Sequence, residues 1–410
     1  MKQTAKLMKD APLHPGVPFP AAAVRLSLIR LRLANFRSYA VAELNVEPGP
    51  VVLVGENGTG KTNCLEAISL LSPGRGLRGA KLAELQRKAP HETVALELNK
   101  ADSLSASLWA VAGTIARADG TWDIGTGLSP AGTDVNPRRT MHLNGAPAQS
   151  ADLVELAPML WLTPAQDRLF LEAASERRRF LDRLTFALDS AHARRVVRYE
   201  RAMRQRLRLL REQRNPDPVW LDALEETMAE TGAVITQARL SLIEKLNGEL
   251  TARGAAGAFP CAHLALADPL GEDASDTETL RARFAGARRR DAEAGRTTLG
   301  PNTADLAVRH TSKRADARDC STGEQKALLI SIVLANAWLQ ARKDGAAPPI
   351  LLLDEIAAHL DAAHRAALFE EILCLGAQAW MTGTDASLFA PLTGRATVFT
   401  VERSQFVRTG

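Results

Sequence analysis

The chain has 410 residues, of which 46% are hydrophobic and 24% charged, the balance of a folded globular protein long enough for two or three domains. A net charge of +4 is only mildly basic, so any surface for a polyanion must be local. No apolar run approaches the ~20 residues that span a bilayer, and Cys64, Cys261, Cys320 and Cys374 lack the spacing of a disulfide framework or a zinc site.

Residues 1–24 have no apolar core of the signal-peptide kind and read as a flexible tail. "VRLSLIRLRLANFRSYA" alternates apolar and polar residues, a strand pattern. Val51 to Val54 is a β-branched apolar run that reads as a buried strand, and Leu65, Ile68 and Leu71 recur at helical spacing beyond it. Between them stands Gly55-Glu56-Asn57-Gly58-Thr59-Gly60-Lys61-Thr62, which fits G-x-x-x-x-G-K-[ST] at every fixed position. The glycines let backbone N–H groups turn inward around phosphate oxygens at a helix N-terminus. Lys61 supplies a point charge to the β and γ phosphates, and the Thr62 hydroxyl is a ligand for Mg²⁺. "TVALELN", "SASLWAVAGTIARA" and "RTMHLNGAPA" read as further strands, the last with an Asn144-Gly145 hairpin turn.

The character changes at Glu176. From there to Leu250, Gly and Pro are scarce except in "NPDP" at residues 215–218, and the apolar stripes predict two long antiparallel helices forming an arm of about 50 Å. Its first helix is dense in arginine: Arg177 to Arg179, Arg183, Arg194, Arg195, Arg198, Arg201, Arg204, Arg206, Arg208, Arg211 and Arg214. Such a run is a solvated face or a surface for phosphates. Acids are few, which favours the second, and an aromatic content of 5% favours duplex backbone over a stacking platform for single strands. Residues 251–298 are more polar and read as a small subdomain closing the arm, so the organisation is 25–175 and 299–410 as a head with 176–298 inserted.

In the second head segment, Ser321-Thr322-Gly323-Glu324-Gln325 opens an amphipathic helix. Locally this is a good N-cap. "PPILLLDEIAAHLD" is an apolar strand ending in two carboxylates, Asp354 placed to organise Mg²⁺ and Glu355 to polarise an attacking water. A phosphate loop, a helical insertion, an S-x-G-E/Q helix start and an apolar strand ending in Asp-Glu, in that order, predict an α/β fold: an ABC-type ATPase head, a mixed sheet with flanking helices, carrying an inserted α-helical arm.

The chain resembles the RecF family of SMC-type ATPases in "LRLANFRSYA", "GENGTGKTNCLEAISLLSPGRGLR", "LNG", "WLTPAQDRLF" with "ERRRFLDR", "LGP", "STGEQKALL", "LLLDEIAAHLD" and "MTGTD", a match close to full length. The resemblance implies that Gly55 to Asn63 hold ATP with Mg²⁺ on Thr62, Asp354 and the Q-loop residue Gln166, and that Glu355 is the catalytic acid. It implies that Ser321, Gly323, Glu324 and Gln325 form a signature motif offered across an ATP-dependent homodimer, with Asp361 closing the loop that faces the dimer. Asn35, Arg37 and Ser38 are expected near the nucleotide or at an end of the DNA-facing surface. A cytosolic protein acting at gapped DNA is implied, binding duplex and single-stranded DNA, with RecR and RecO as partners and RecA loading as the outcome. Residues 300–306, "GPNTADL", depart from the family's "GPHRDD"-like stretch, and His359 stands where a Glu is frequent. A transporter ATPase subunit would lack the arm, and an SMC-like tether would need a far longer coiled coil.

Overall fold

The computed structural model describes residues 26–88, 107–129, 138–153, 156–212, 216–254, 257–343, 346–358 and 360–410. The tail at 1–24, the strand expected at 93–99 and His359 lie outside the described residues. In chain order the elements are β1 (Leu26–Phe36), β2 (Tyr39–Asn45), β3 (Val51–Val54), α1 (Lys61–Ser69), β4 (Ala110–Arg117), β5 (Gly120–Leu128), β6 (Arg139–Leu143), β7 (Ala146–Pro147) and β8 (Met159–Leu162). There follow α2 (Ala174–Leu188), α3 (His192–Glu212), α4 (Pro218–Gly254), β9 (Ala262–Ala267), α5 (Thr277–Gly286), α6 (Arg288–Ala294), β10 (Asp305–His310) and β11 (Ala315–Asp316). The chain closes with α7 (Thr322–Ala341), β12 (Ile350–Leu353), α8 (Ala362–Leu375), β13 (Ala379–Gly383), β14 (Thr397–Glu402) and β15 (Gln405–Arg408).

The central sheet runs β15-β14-β3-β13-β12-β8, parallel except for β15. Of its parallel strands, β3, β8, β12 and β13 are buried at every position, as burial on both faces requires, while β14 alternates. On one face α1 packs beneath the antiparallel sheet β2-β1-β4-β5-β6-β7, with Leu65 and Ile68 between Leu53 and Leu352 on one side and Leu28 and Val111 on the other. On the other face Val52, Leu351 and Met381 meet α7, α8, α2 and the C-terminal half of α4. The hairpin at Asn144-Gly145 forms as expected, both residues in the left-handed region at φ 49° and 80°.

The arm differs from expectation. The first long helix breaks at Asp189, whose carboxylate accepts from the Ala191 N–H at 3.1 Å and whose carbonyl accepts from the His192 N–H, so α2 and α3 are separate. Phe180, Leu181 and Leu184 of α2 belong to the head core, as do Leu242, Leu246 and Leu250 of the 37-residue α4. Only α3 and the first half of α4 project, so the arm is about 30 Å long from its 21-residue helix. Tyr199, Ala202, Met228 and Phe284 form its own core under α5 and α6. Within the insertion, β9 pairs with β10 of the second head segment from Ala262↔His310 to Ala267↔Asp305.

The GPNTADL stretch ties the arm to the head. The Tyr199 hydroxyl donates to Asn302 Oδ1 at 2.5 Å, Arg239 donates to the Pro301 carbonyl at 2.7 Å, and Arg177 grips Asp305 with two bonds at 2.6 and 2.7 Å. Gly300 is at φ 94°, and a Cβ there would lie 2.6 Å from the Tyr199 oxygen, so only glycine fits.

Candidate nucleotide site and arginine arm

The loop between β3 and α1 is fixed from both sides. Gly55 is at φ 156°, and a Cβ there would meet the Val401 carbonyl at 2.4 Å. Behind Gly60, the Tyr39 hydroxyl donates to the Gly60 carbonyl at 3.0 Å, and Tyr39 itself stacks on Phe406 at 5.3 Å. The Ser404 N–H closes onto the Thr59 carbonyl at 3.0 Å. Glu56, Asn57 and Gly58 form the exposed rim, and the Glu56 carbonyl accepts from the Thr59 hydroxyl at 3.0 Å. Lys61 is 4% exposed; its ammonium donates to the Gly55 and Glu56 carbonyls at 2.6 and 2.9 Å and lies 3.9 Å from a Glu355 oxygen.

Asp354 is reached from two directions. The Thr62 and Thr382 hydroxyls both donate to its Oδ1, at 2.9 and 2.7 Å, and the Thr382 hydroxyl also accepts from the Glu355 N–H at 2.8 Å. Glu355 is in the left-handed region at φ 50°, a conformation that costs a non-glycine residue energy and needs support. Lys326 of α7 supplies it. Its buried ammonium donates to the Ala358 and Glu355 carbonyls at 3.0 and 3.3 Å and to Asp167 at 3.3 Å. The fixed oxygens of Thr62 and Asp354 are hard donors of the kind Mg²⁺ takes alongside water and phosphate oxygens, and the loop presents N–H groups at a helix start. The residues fit a magnesium-bound nucleoside triphosphate.

The other expected residues make contacts of their own, and Ser38 lies against the phosphate loop at Gly60. The Gln166 side-chain oxygen is turned back onto the Thr163 N–H at 3.1 Å, and no hydrogen bond joins it to Thr62 or Asp354. Arg37 is spent on Glu66 of α1, through bonds at 2.9 and 2.8 Å, and on the Glu84 carbonyl. It braces the helix behind the phosphate loop, and Asn35 donates to the Leu108 carbonyl. Ser38 and Asn63 bond each other at 3.0 Å.

At the start of α7, Ser321 and Glu324 form a capping box, Glu324 accepting from the Ser321 N–H at 3.0 Å and the Ser321 hydroxyl accepting from the Glu324 N–H at 3.4 Å. The Lys313 ammonium beside Glu324, with these bonds, holds its carboxyl down at about 2. Ser321 and Gly323 are exposed, but Gln325 is not available at the surface. It is 3% exposed and donates inward to the Cys320 carbonyl at 2.9 Å, because its position on α7 faces the core. Asp361 caps α8, accepting from the His364 N–H at 2.8 Å, and that bond lowers its pKa.

The arginine run divides sharply. Arg206 is fully buried and bonds Glu225 at 2.8 Å, Asp291 at 2.6 Å and the Phe284 carbonyl at 2.7 Å, so it is a core residue of the arm. Arg177 and Arg178 bind Asp305 and the Ala304 carbonyl, Arg179 pairs with Glu176, and Arg195 pairs with Asp189. Arg204 and Arg208 pair along α3 with Glu200 and Glu212, and Arg198 reaches Glu230 at 3.4 Å. Among the described residues, Arg194, Arg201 and Arg211 are exposed and make no ion pair, Glu200 and Glu212 being paired with Arg204 and Arg208. Arg214 lies outside the described residues.

Sequence reasoning missed Tyr39, Thr382 and Lys326. Lys326 sits one position past the expected motif and Asp167 one past Gln166, yet a lysine on a helix ordinarily reads as solvated.

Comparison with known proteins agrees with the fold. The family model of the RecF/RecN/SMC N terminal domain matches residues 27–403. The DNA replication and repair protein RecF of Agrobacterium fabrum is 48% identical over 383 residues, covering 92% of this chain and 97% of that one. The protein of the same name from Caulobacter vibrioides is 46% identical over 382 residues, covering 90% and 95%. A solved structure of the recombination mediator protein RecF with ATP, of the RecFOR pathway, superposes with a TM-score of 0.78 at 22% identity, over 95% of this chain and 99% of that one.

Proposed function

The chain belongs to the RecF family of DNA replication and repair proteins, and from that premise we propose that it is an ATP-dependent clamp on duplex DNA near single-stranded gaps. On this reading the protein works in the cytosol with RecR and RecO, and its outcome is RecA placed on the exposed strand. ATP bound with Mg²⁺ supplies the phosphoanhydride whose slow hydrolysis times the clamp. Lys61 carries the charge for the β and γ phosphates, Thr62 and Asp354 hold the metal, and Glu355 takes the proton of the attacking water.

The observation that carries the clamp is the position of the α7 start. Ser321 and Gly323 are exposed, and no hydrogen bond joins them to the phosphate loop of their own chain among the described residues. A helix N-terminus of this kind is an anion site, and a second copy is what would bring it to the first copy's nucleotide. The arm adds arginines without acidic partners beside the head, suited to phosphate contacts that ignore sequence. The test is binding to plain and gapped duplexes with and without ATP, with sedimentation in parallel. ATP is expected to raise both DNA affinity and mass. A chain that stays monomeric with ATP, or binds DNA equally without it, would overturn the reading.

A further inference from the structure

The loop after α1 is rigidly built although, among the described residues, no hydrogen bond joins it to residues 55–62. Gly74 and Gly76 are held at φ 106° and 73°, and a Cβ on Gly76 would lie 2.9 Å from Leu70. Leu77 N–H donates to the Ser69 hydroxyl at 2.7 Å, and the Arg139 guanidinium ties the Leu70 and Gly74 carbonyls together. Of its two arginines, Arg78 turns to α1, bonding Asn63 at 2.9 Å and Glu66 at 3.0 Å. Arg75 is exposed with no acid beside it among the described residues, and lines a cleft of about 920 Å³ between this loop and α3.

The opposite wall of the cleft carries Arg194, Arg198 and Arg201. Their spacing of four and three residues puts them on one face of α3, about 6 and 4.5 Å apart along its axis. The floor is apolar, with Met159, Trp161 and Phe186, and Arg183 lies over the Trp161 ring at 4.8 Å with its Nε buried and unpartnered. Two acids line the cleft and both are engaged: Asp182 accepts from His192 and twice from Arg239, and Glu200 pairs with Arg204 at 3.2 Å. On this face Arg198 reaches Glu230 at 3.4 Å, while Arg194 and Arg201 make no ion pair among the described residues.

We propose that the cleft seats the sugar–phosphate backbone of a single DNA strand, the one that leaves the duplex at a gap. The inference rests on the DNA-binding reading above and adds a place and a strandedness to it. A row of guanidinium forks on the α3 wall, faced by Arg75 of the loop, matches a ligand that repeats its negative charge at regular intervals. A walled groove with an apolar floor admits one strand, while a duplex reaches only its rim. The loop also gives the strand a route to the nucleotide site, because Arg78 and Arg37 hold the same Glu66 of α1.

The test uses the full chain with ATP and dye-labelled oligo-dT, plain duplex and gapped duplex, followed by fluorescence anisotropy at several salt concentrations. Arg75→Ala and the pair Arg194→Ala with Arg201→Ala are compared with a control pair at the acid-paired positions, Arg204→Ala with Arg208→Ala. The cleft variants should bind oligo-dT and gapped duplex about tenfold more weakly, and plain duplex no more than threefold. The salt slope on oligo-dT should fall by about 0.7 for each phosphate that an arginine no longer neutralises. The control pair should shift every DNA by less than twofold. Equal losses on plain and gapped duplex would overturn the strand assignment and leave DNA binding standing. Unchanged binding of all three would overturn the cleft itself. A wild-type chain that binds none of the three would instead sink the broader reading. All the substituted arginines are exposed or half-exposed, and ATP binding equal to wild type checks the fold.

Discussion

The Thr62 hydroxyl donates to Asp354 Oδ1 at 2.9 Å, joining the first turn of α1 to the end of β12 across 292 residues of chain. The central sheet makes this possible, since β13 is the only strand between β3 and β12 and Thr382 on it bonds the same oxygen. Two hydroxyls donating to one carboxylate oxygen fix the direction of the group before any ligand arrives.

Asp354→Asn should therefore lower hydrolysis more than binding. The amide oxygen can still accept from Thr62 and Thr382, but the negative charge for the metal is gone. Phosphate release is expected to fall at least a hundredfold, while affinity for a fluorescent ATP analogue falls less than tenfold. Lys61→Met should lose the binding itself. Equal loss of both quantities in Asp354→Asn would remove the metal role from this residue.

Lys326 should matter more for rate than for affinity. Its ammonium is 4% exposed and serves two carbonyls of the loop carrying Glu355. Lys326→Met removes the donor to the Ala358 carbonyl and Asp167, leaving the Glu355 carbonyl with only the Ala358 N–H at 3.2 Å, and should cost about 3 kcal/mol of stability, read by chemical denaturation. At a temperature where the variant is folded, kcat should fall about tenfold or more with KM for ATP within twofold, and Lys326→Arg should recover part of it. A variant with reduced stability and unchanged kcat would make the lysine a structural residue only.

The phosphate loop, the Asp-Glu strand and the capped α7 were legible because each is a local pattern: a fixed template, an unbroken apolar run, a hydroxyl followed three residues later by an acid. What was not legible is what those patterns touch. Tyr39 behind Gly60 and Lys326 beneath Glu355 are contacts across the fold that no spacing encodes. Gln325 belongs to the motif by sequence yet faces the core by helical phase. Arg206 was hidden by its neighbours, although Tyr199, Ala202, Arg206 and Leu209 share the three-four-three spacing of a buried face, a signal that charge had masked.

That burial gives Arg206 a different phenotype from the arginines around it. Arg206→Ala removes the buried guanidinium between Glu225 and Asp291, leaving Glu225 to Arg288 and Asp291 to Thr298, and should destabilise the arm by about 3 kcal/mol. Local protection in hydrogen exchange should drop across α3, α5 and α6. The paired exposed sites, Arg204 and Arg208, should change stability by less than about 1 kcal/mol when replaced. A folded arm in Arg206→Ala with a specific loss of DNA affinity would place the residue at the surface after all.

Acid should loosen the start of α7. The Glu324 carboxyl is held at about 2, below its ordinary 4.5, so its contribution is present above the ordinary value and is lost as pH falls toward the lowered one. The stability difference between wild type and Glu324→Gln should be constant from about pH 7 to about 5 and shrink below it. High salt should also reduce the difference, because Lys313 is largely exposed. A difference that grows on acidification would contradict the capping role.

The same helix start gives the sharpest test of the dimer. Ser321 and Gly323 face solvent, while Lys61, Thr62, Asp354 and Glu355 converge at the phosphate loop. If ATP joins two copies through these surfaces, blocking either partner of the contact has a distinct result. Glu355→Gln keeps the loop and its charge but removes the base, so ATP-bound dimers should accumulate and persist. Ser321→Arg places a long cation where the helix N-terminus must approach, and removes the cap, which costs about 1 kcal/mol without touching the loop. It should bind ATP within a few-fold of wild type and sediment as a monomer. The two variants are therefore expected to separate in one sedimentation run with ATP, one heavier than wild type and one lighter. Dimerisation of Ser321→Arg at the wild-type level would return the motif to a plain helix cap and place the dimer contact on another surface.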